Sequence, residues 1–185
     1  MTIDCFEWKK GLPPNLVELD VSFTNLDDTF FYEISHSNIA ANLKTLKLRG
    51  TKIGNSFLSH FHKFASLEYL DIRDTLIQIE NDFSIEKLSK LANLKTLKVD
   101  KVELTLAKVL QANTKLENVT VTQQTKVGSS KIYLKDFMRL KSFTTNLINK
   151  KTLSYLVNAE KIKLTERYEE QKSVTLPFRL NVNPF

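Results

Sequence analysis

The sequence predicts an α/β solenoid: one parallel sheet of short strands alternating with return segments, in about six to seven repeats. Three observations carry this. A phrase of the form L-x-x-L-x-L recurs as Leu16-Leu19-Val21, Leu43-Leu46-Leu48, Leu67-Leu70-Ile72, Leu94-Leu97-Val99 and Leu116-Val119-Val121, its last two apolar residues alternating as in a strand with one buried face. The copies start 27, 24, 27 and 22 residues apart, and 24 more lead to a decayed sixth copy at Leu140-Phe143; such periods mark stacked supersecondary units. The first three copies continue through Thr24-x-Leu26, Thr51-x-Ile53 and Thr75-x-Ile77, so strand, turn and return segment repeat together.

The elements follow in order within one expected domain, 1–185. Residues 1–14, with Phe6 and Trp8, are expected to cap the first layer, and the repeats to fill 15–166. Phe30, Phe31, Ile34 and Ile39 mark the first, irregular return segment. Helical spacing is clearer in Phe57, Leu58, Phe61 and Phe64, in Ile85, Leu88 and Leu91, in Leu106, Val109 and Leu110, and in Ile132, Leu134, Phe137, Met138 and Leu140. Ser84, Thr105 and Ser130 are the expected N-caps of the last three. The phenylalanines gather in these return segments, which predicts a layer filled by rings. Beyond Gln123 the period weakens; Leu147, Leu153, Leu156 and Val157 give a helix and Ile162-x-Leu164 a last short strand. Val174, Leu176, Phe178, Leu180 and Val182 then alternate with polar residues, with Pro177 confining them to an edge. Residues 167–185 are expected to cover the last open layer, as a solenoid end requires.

With these phrases in view, the chain from Leu12 to Glu166 resembles the leucine-rich repeat proteins, in the long-repeat strand and helix subgroup found in ubiquitin-ligase substrate receptors. The resemblance implies a horseshoe with a concave parallel sheet and convex helices, and an activity of holding another protein. Where the family commonly has Asn or Cys at the turn, this chain has Thr24, Thr51 and Thr75, then Val102 and Gln124. A threonine hydroxyl can still satisfy nearby backbone. Val102 cannot, so the fourth turn is expected to be built differently.

Composition narrows the setting. A chain of 185 residues with 42% apolar side chains can bury one continuous core, and no run approaches the ~20 apolar residues of a membrane span. Met1 to Lys10 contains Asp4, Glu7 and Trp8, which is not a secretory pattern. A single cysteine, Cys5, makes no internal disulfide. A cytoplasmic monomer is expected, with the nucleus and delivery into a host cell left open; Asn118-Val119-Thr120 is then a chance match to a glycosylation acceptor. His36, His60 and His62 are too few and badly spaced for a metal site, Cys5 is a packing thiol, and the four glycines form no phosphate loop. No enzymatic activity, metal or cofactor is expected.

The net charge of +6 is concentrated: residues 126–151 hold seven basic side chains against Asp136 alone. Lys131, Lys135 and Arg139 share a helical face near Tyr133, a candidate anion or nucleic-acid surface. The sheet face argues against that use. After the first leucine of each phrase come Val17, Lys44, Glu68, Lys95, Glu117, Lys141 and Glu160, and between the two strand leucines Asp20, Lys47, Asp71, Lys98, Thr120 and Thr144. With strands about 4.8 Å apart, each lysine is expected between acids, a ladder that fixes register.

The leading functional expectation is a protein-binding scaffold centred on Arg49, Tyr69, Arg73, Asp74 and Asp100, where the ladder gives way to an aromatic and two arginines. The competing reading of these residues is internal: Arg49 and Arg73 pair with Asp74 and Asp100 across strands, and Tyr69 packs over them. Nucleic-acid binding through 126–151 is the second class, and an assembly or spacer subunit the third. With about fifteen residues before Leu16, a recognition subunit of a ubiquitin ligase would need its docking module from another chain or from a removed segment. The Lys/Asn/Phe/Ile-rich composition raises a host-directed effector of an intracellular microbe.

Overall fold

The alternation of apolar residues in each phrase resolves into seven parallel strands hydrogen-bonded in sequence order. The computed structural model describes residues 12–79, 81–100, 106–122, 140–145 and 160–164. The strands are β1 (Glu18–Asp20), β2 (Thr45–Lys47), β3 (Tyr69–Asp71), β4 (Thr96–Val99), β5 (Asn118–Val121), β6 (Ser142–Thr145) and β7 (Lys161–Leu164). Between them lie α1 (Asp28–Ser35) and α2 (Ile39–Asn42), a 3₁₀ segment (Asn55–Lys63), α3 (Asp82–Ser89) and α4 (Leu106–Ala112). Residues 1–11 and 167–185 of the proposed caps, the Val102 turn, the Thr105 and Ser130 caps, the helical segments 132–139 and 147–157 and the basic triad Lys131, Lys135 and Arg139 lie outside the described residues.

The central leucines stack in register, Leu19 on Leu46, Leu70, Leu97 and then Val119 and Phe143, and all are buried. The first leucine of each phrase is needed as well: Leu43, Leu67, Leu94, Leu116 and Leu140 are buried under the sheet. The next residue's carbonyl accepts two successive N–H groups of the following repeat, Val17 from Lys44 and Thr45, Lys44 from Glu68 and Tyr69, Glu68 from Lys95 and Thr96. The pattern continues at Lys95 and Glu117. A carbonyl has two lone pairs, so this device satisfies both and pins each strand's entry to its neighbour.

The return segments form the other layer of the core. Phe31, Phe57, Phe61 and Phe64 are buried, with Phe57 packed tilted or edge-on against Phe31, Phe61 and Phe64 at centroid distances of 4.9, 5.0 and 5.5 Å. The ring-filled layer is therefore present. Two local expectations change. Residues 55–63 are a 3₁₀ helix instead of an α-helix, because Leu58, Phe61 and Phe64 recur at every third residue and a three-per-turn spiral stacks them on one face. Helix α3 is capped by Asn81, not Ser84: Asn81 Oδ1 accepts from the Ser84 amide at 2.9 Å while Ser84 Oγ accepts from the Asn81 amide at 3.2 Å. Ser84 is the third residue of a capping box.

The threonine turns behave as read. Thr24, Thr51 and Thr75 donate their hydroxyls to the carbonyls of Val21, Leu48 and Ile72 at 2.7, 2.6 and 2.7 Å. The residue before each threonine, Phe23, Gly50 and Asp74, is left-handed with φ of 60°, 70° and 55°. Gly50 fits this best, since a Cβ there would also stand 2.7 Å from Phe23 Cδ1. The amides of these residues link repeats: Phe23 donates to Arg49 O and Gly50 to Arg73 O, whereas Asp74 donates to the Asp100 carboxylate. Among the three threonines, Thr51 is the buried one. Thr51→Val keeps its shape and removes the donor, so a loss of about 1 kcal/mol is expected. That corresponds to roughly 2–4 °C in melting temperature, readable by circular dichroism; an unchanged melt would show that water replaces the bond at no cost.

Candidate functional site

The sheet face opposite the helices is built by alternate strand residues. One register row runs Glu18, Thr45, Tyr69, Thr96, Asn118 and Ser142, and a second runs Asp20, Lys47, Asp71, Lys98, Thr120 and Thr144. The expected ladder of opposite charges is present in part. Lys47 reaches Glu18 at 2.7 Å and Asp20 at 3.4 Å, Lys95 reaches Glu68 at 2.6 Å, and Lys141 reaches Glu117 at 3.0 Å. Asp71 departs from it. It is 4% exposed and binds Arg73 in its own repeat through two parallel bonds, Nε to Oδ1 at 2.8 Å and Nη2 to Oδ2 at 2.6 Å. A bidentate guanidinium fork holds a carboxylate better than the point charge of a lysine across the strand, so Asp71 pairs with neither Lys47 nor Lys98.

These pairs set the protonation of the face. The bond from Lys95 holds the Glu68 carboxyl below its ordinary range, and Glu68 in turn raises Lys95. Burial pushes the Asp20 carboxyl up, but bonds from Ser22 and Lys47 outweigh it and leave it lowered. The bond to Glu18, followed by that to Asp20, raises Lys47. A depressed carboxylate contributes stability that is complete above its unfolded value and is lost as pH falls through the folded one. A raised lysine contributes below its unfolded value and loses this as pH rises through the folded one. Glu68→Gln is therefore expected to flatten the fall of melting temperature below the ordinary glutamate value of 4.5 and above the ordinary lysine value of 10.5. Superimposable melting-temperature profiles against pH for the two proteins would show that the pair adds nothing.

The five residues singled out by sequence lie close together but differ in what they have left to offer. Tyr69 is on β3, while Arg49, Arg73, Asp74 and Asp100 occupy the turns just beyond β2, β3 and β4. Arg49 donates to Asp74 at 2.8 Å and stands 5.3 Å over the exposed ring of Phe23. Arg73 is taken by Asp71, not by Asp100. Asp100 accepts from the Asp74 amide and from the Thr122 hydroxyl, the latter at 2.6 Å. Tyr69 does not cover the arginines: Lys98 Nζ lies over its ring at 5.2 Å.

The residue that sequence reasoning passed over is Lys98. No carboxylate among the described residues pairs with it. Its in-register neighbours are Asp71, already neutralised, and Thr120. Across β5 and β6 the face is uncharged, with Thr96, Asn118, Thr120, Thr122, Ser142 and Thr144 all half-buried and Asn118 donating to Thr96 at 3.3 Å, before β7 brings Lys161 and Lys163 into the two rows. The signal was in the row Asp, Lys, Asp, Lys, Thr, Thr, which leaves the last lysine one acid short. An open cleft of about 450 Å³ is lined by Lys95, Thr114, Lys115, Leu116 and Glu117.

Among the described residues no three His, Cys, Asp or Glu side chains gather as a metal cluster, and no helix is long and apolar enough to cross a membrane. No protein-family model and no curated protein matches the sequence. Among solved structures the chain is similar to an internalin (InlF) of Listeria monocytogenes, a leucine-rich repeat protein, with a TM-score of 0.56 and 16% identity over 83% of this chain and 48% of that one. The chain thus spans about half the length of that structure. At this identity the likeness speaks for the fold alone, and with the seven in-register parallel strands and their buried leucine rows it establishes an α/β leucine-rich repeat solenoid.

Proposed function

We propose that the chain is a non-catalytic protein-interaction scaffold whose sheet face, the concave side of the solenoid, holds a protein partner around Tyr69 and Lys98. The observation that carries this is a cation of the sheet face that no carboxylate of the described residues neutralises and that lies against an aromatic ring. Lys98 stacks on Tyr69 beside a strip of hydroxyl and amide side chains, while the neighbouring cations Lys47, Arg49, Arg73, Lys95 and Lys141 all have carboxylate partners. A tyrosine with an available cation at its side supplies area and directional donors at modest entropic cost, and the threonine and serine hydroxyls can serve as donor or acceptor to a partner's backbone. Arg49, Asp74, Asp100 and Arg73 then act as the rigid border of the contact, preorganised by their own pairs. Such a surface equally serves a recognition subunit of a ubiquitin-ligase or host-directed effector assembly, in which the repeats contribute only the binding face. One cysteine in the chain is consistent with a reducing compartment such as the cytoplasm.

The test is a folded double variant, Tyr69→Ala with Lys98→Ala, compared with the native chain in affinity capture from the native cell. Both side chains are partly exposed, so the circular dichroism spectrum and melt are expected to hold. Specific partners are expected to bind roughly 30-fold more weakly, the scale of a single interface anchor of about 2 kcal/mol. Undiminished capture by the folded variant, together with loss on neutralising Lys131, Lys135 and Arg139, would move the interface to the basic segment.

A further inference from the structure

On the helical side of the first two repeats the rings of Tyr32 and His36 meet that of His60, which lies in the next repeat. His36 follows α1, and His60 comes from the 3₁₀ segment of the next repeat. Their centroids are 5.6 Å apart, and Tyr32 contacts both, at 4.2 Å from His36 and edge-on at 5.6 Å from His60. Sequence spacing gave no reason to join them, because the pairing depends on the stacking of one repeat on the next.

We propose that His36 and His60 form a site for one divalent transition-metal ion of the imidazole-binding class, Zn²⁺ or Cu²⁺, bridging the first and second repeats. Two imidazoles on one zinc, with Zn–N near 2.1 Å and a tetrahedral angle, have ring centres roughly 5 Å apart, close to the 5.6 Å seen here. His36 is already in the required tautomer. Its Nδ1 lies 2.7 Å from the Tyr32 carbonyl oxygen, and a carbonyl only accepts, so Nδ1 carries the proton and Nε2 keeps its lone pair. This is the arrangement in which a ligating histidine is oriented by its other nitrogen. Neither ring nitrogen of His60 hydrogen-bonds to a described residue, so both remain available to the ion.

His60 is partly buried among neighbouring cations. Burial, and then the charges of His36, His62 and Lys63, lower its proton affinity against the opposing pull of Asp28. His62 is engaged separately, its Nδ1 3.0 Å from the Ser59 carbonyl. With two protein ligands the remaining positions belong to water. Affinity then follows the general order of divalent metals, Cu²⁺ above Zn²⁺.

The experiment titrates the chelator-treated full chain, carrying Cys5→Ser to remove thiolate competition, with ZnCl₂ and with CuCl₂ by calorimetry and thermal melting. One ion per chain is expected, tighter for copper, with a melting temperature raised by roughly 5 °C at a hundredfold excess over Kd. His36→Phe and His60→Phe preserve the ring contacts and are each expected to weaken binding at least tenfold and abolish the thermal shift; His62→Phe is expected to change neither. If a phenylalanine variant melts abnormally without metal, His36→Gln and His60→Gln supply the same reading. Absence of binding in the native chain, or binding undiminished in the His36/His60 double variant, would overturn the site.

Discussion

Phe57→Ala is expected to lower the stability of the fold by about 3–5 kcal/mol, on the order of 10 °C or more in melting temperature. Phe57 is buried and is the ring on which the return layer converges, meeting Phe31 of the preceding repeat and Phe61 and Phe64 of its own. Its removal deletes three aromatic contacts and leaves a cavity walled by stiff rings, which relax poorly into empty space. A melt within 2–3 °C of the native chain would show that this layer is plastic and that the ring contacts are incidental.

Leu70→Ala is the corresponding change on the strand side, with an expected cost of about 2–5 kcal/mol. Leu70 is fully buried and lies in register between Leu46 and Leu97. Each repeat is stabilised by its neighbours alone, so the damage is expected to spread to both sides. Amide hydrogen exchange should accelerate in β2 and β4 as well as β3. Exchange that quickens in β3 only would mean that the layers open independently; an unaltered melt would mean that the leucine rows are not the core.

The fold was legible because its unit is local and repeated. The Leu70 row, the Thr51 turn and the burial of Phe31 and Phe57 all follow from alternation and spacing within some ten residues of sequence. What escaped depended on competition between partners. Asp71 has a lysine on each neighbouring strand, yet it takes Arg73 two residues away because a fork binds a carboxylate at two points. Ser84 and Asn81 can both cap a helix, and the longer apolar pattern hid which one begins it. The 3₁₀ form of 55–63 was misread because Phe57 and Phe61 fit a helix of 3.6 residues per turn while Leu58, Phe61 and Phe64 fit one of three. Of the proposed site, Tyr69 and the two arginines were named from the sequence, whereas the pairing of Arg73 with Asp71 and the unpaired Lys98 emerged only from the neighbours' geometry. The juxtaposition of His36 and His60 could not be read at all, because it exists only once two repeats are stacked.

The alternation of Lys44, Glu68, Lys95, Glu117 and Lys141 along the entry edge of the sheet imposes a parity on the chain. Removing or duplicating one repeat brings two like charges side by side on strands about 4.8 Å apart. Removing or duplicating two restores the alternation. Growth by whole units would be tolerable in even steps and penalised in odd ones. The same arithmetic bears on anyone wishing to shorten or extend the molecule: units should be moved as acid and base couples, so that the smallest exchangeable module is a pair of repeats.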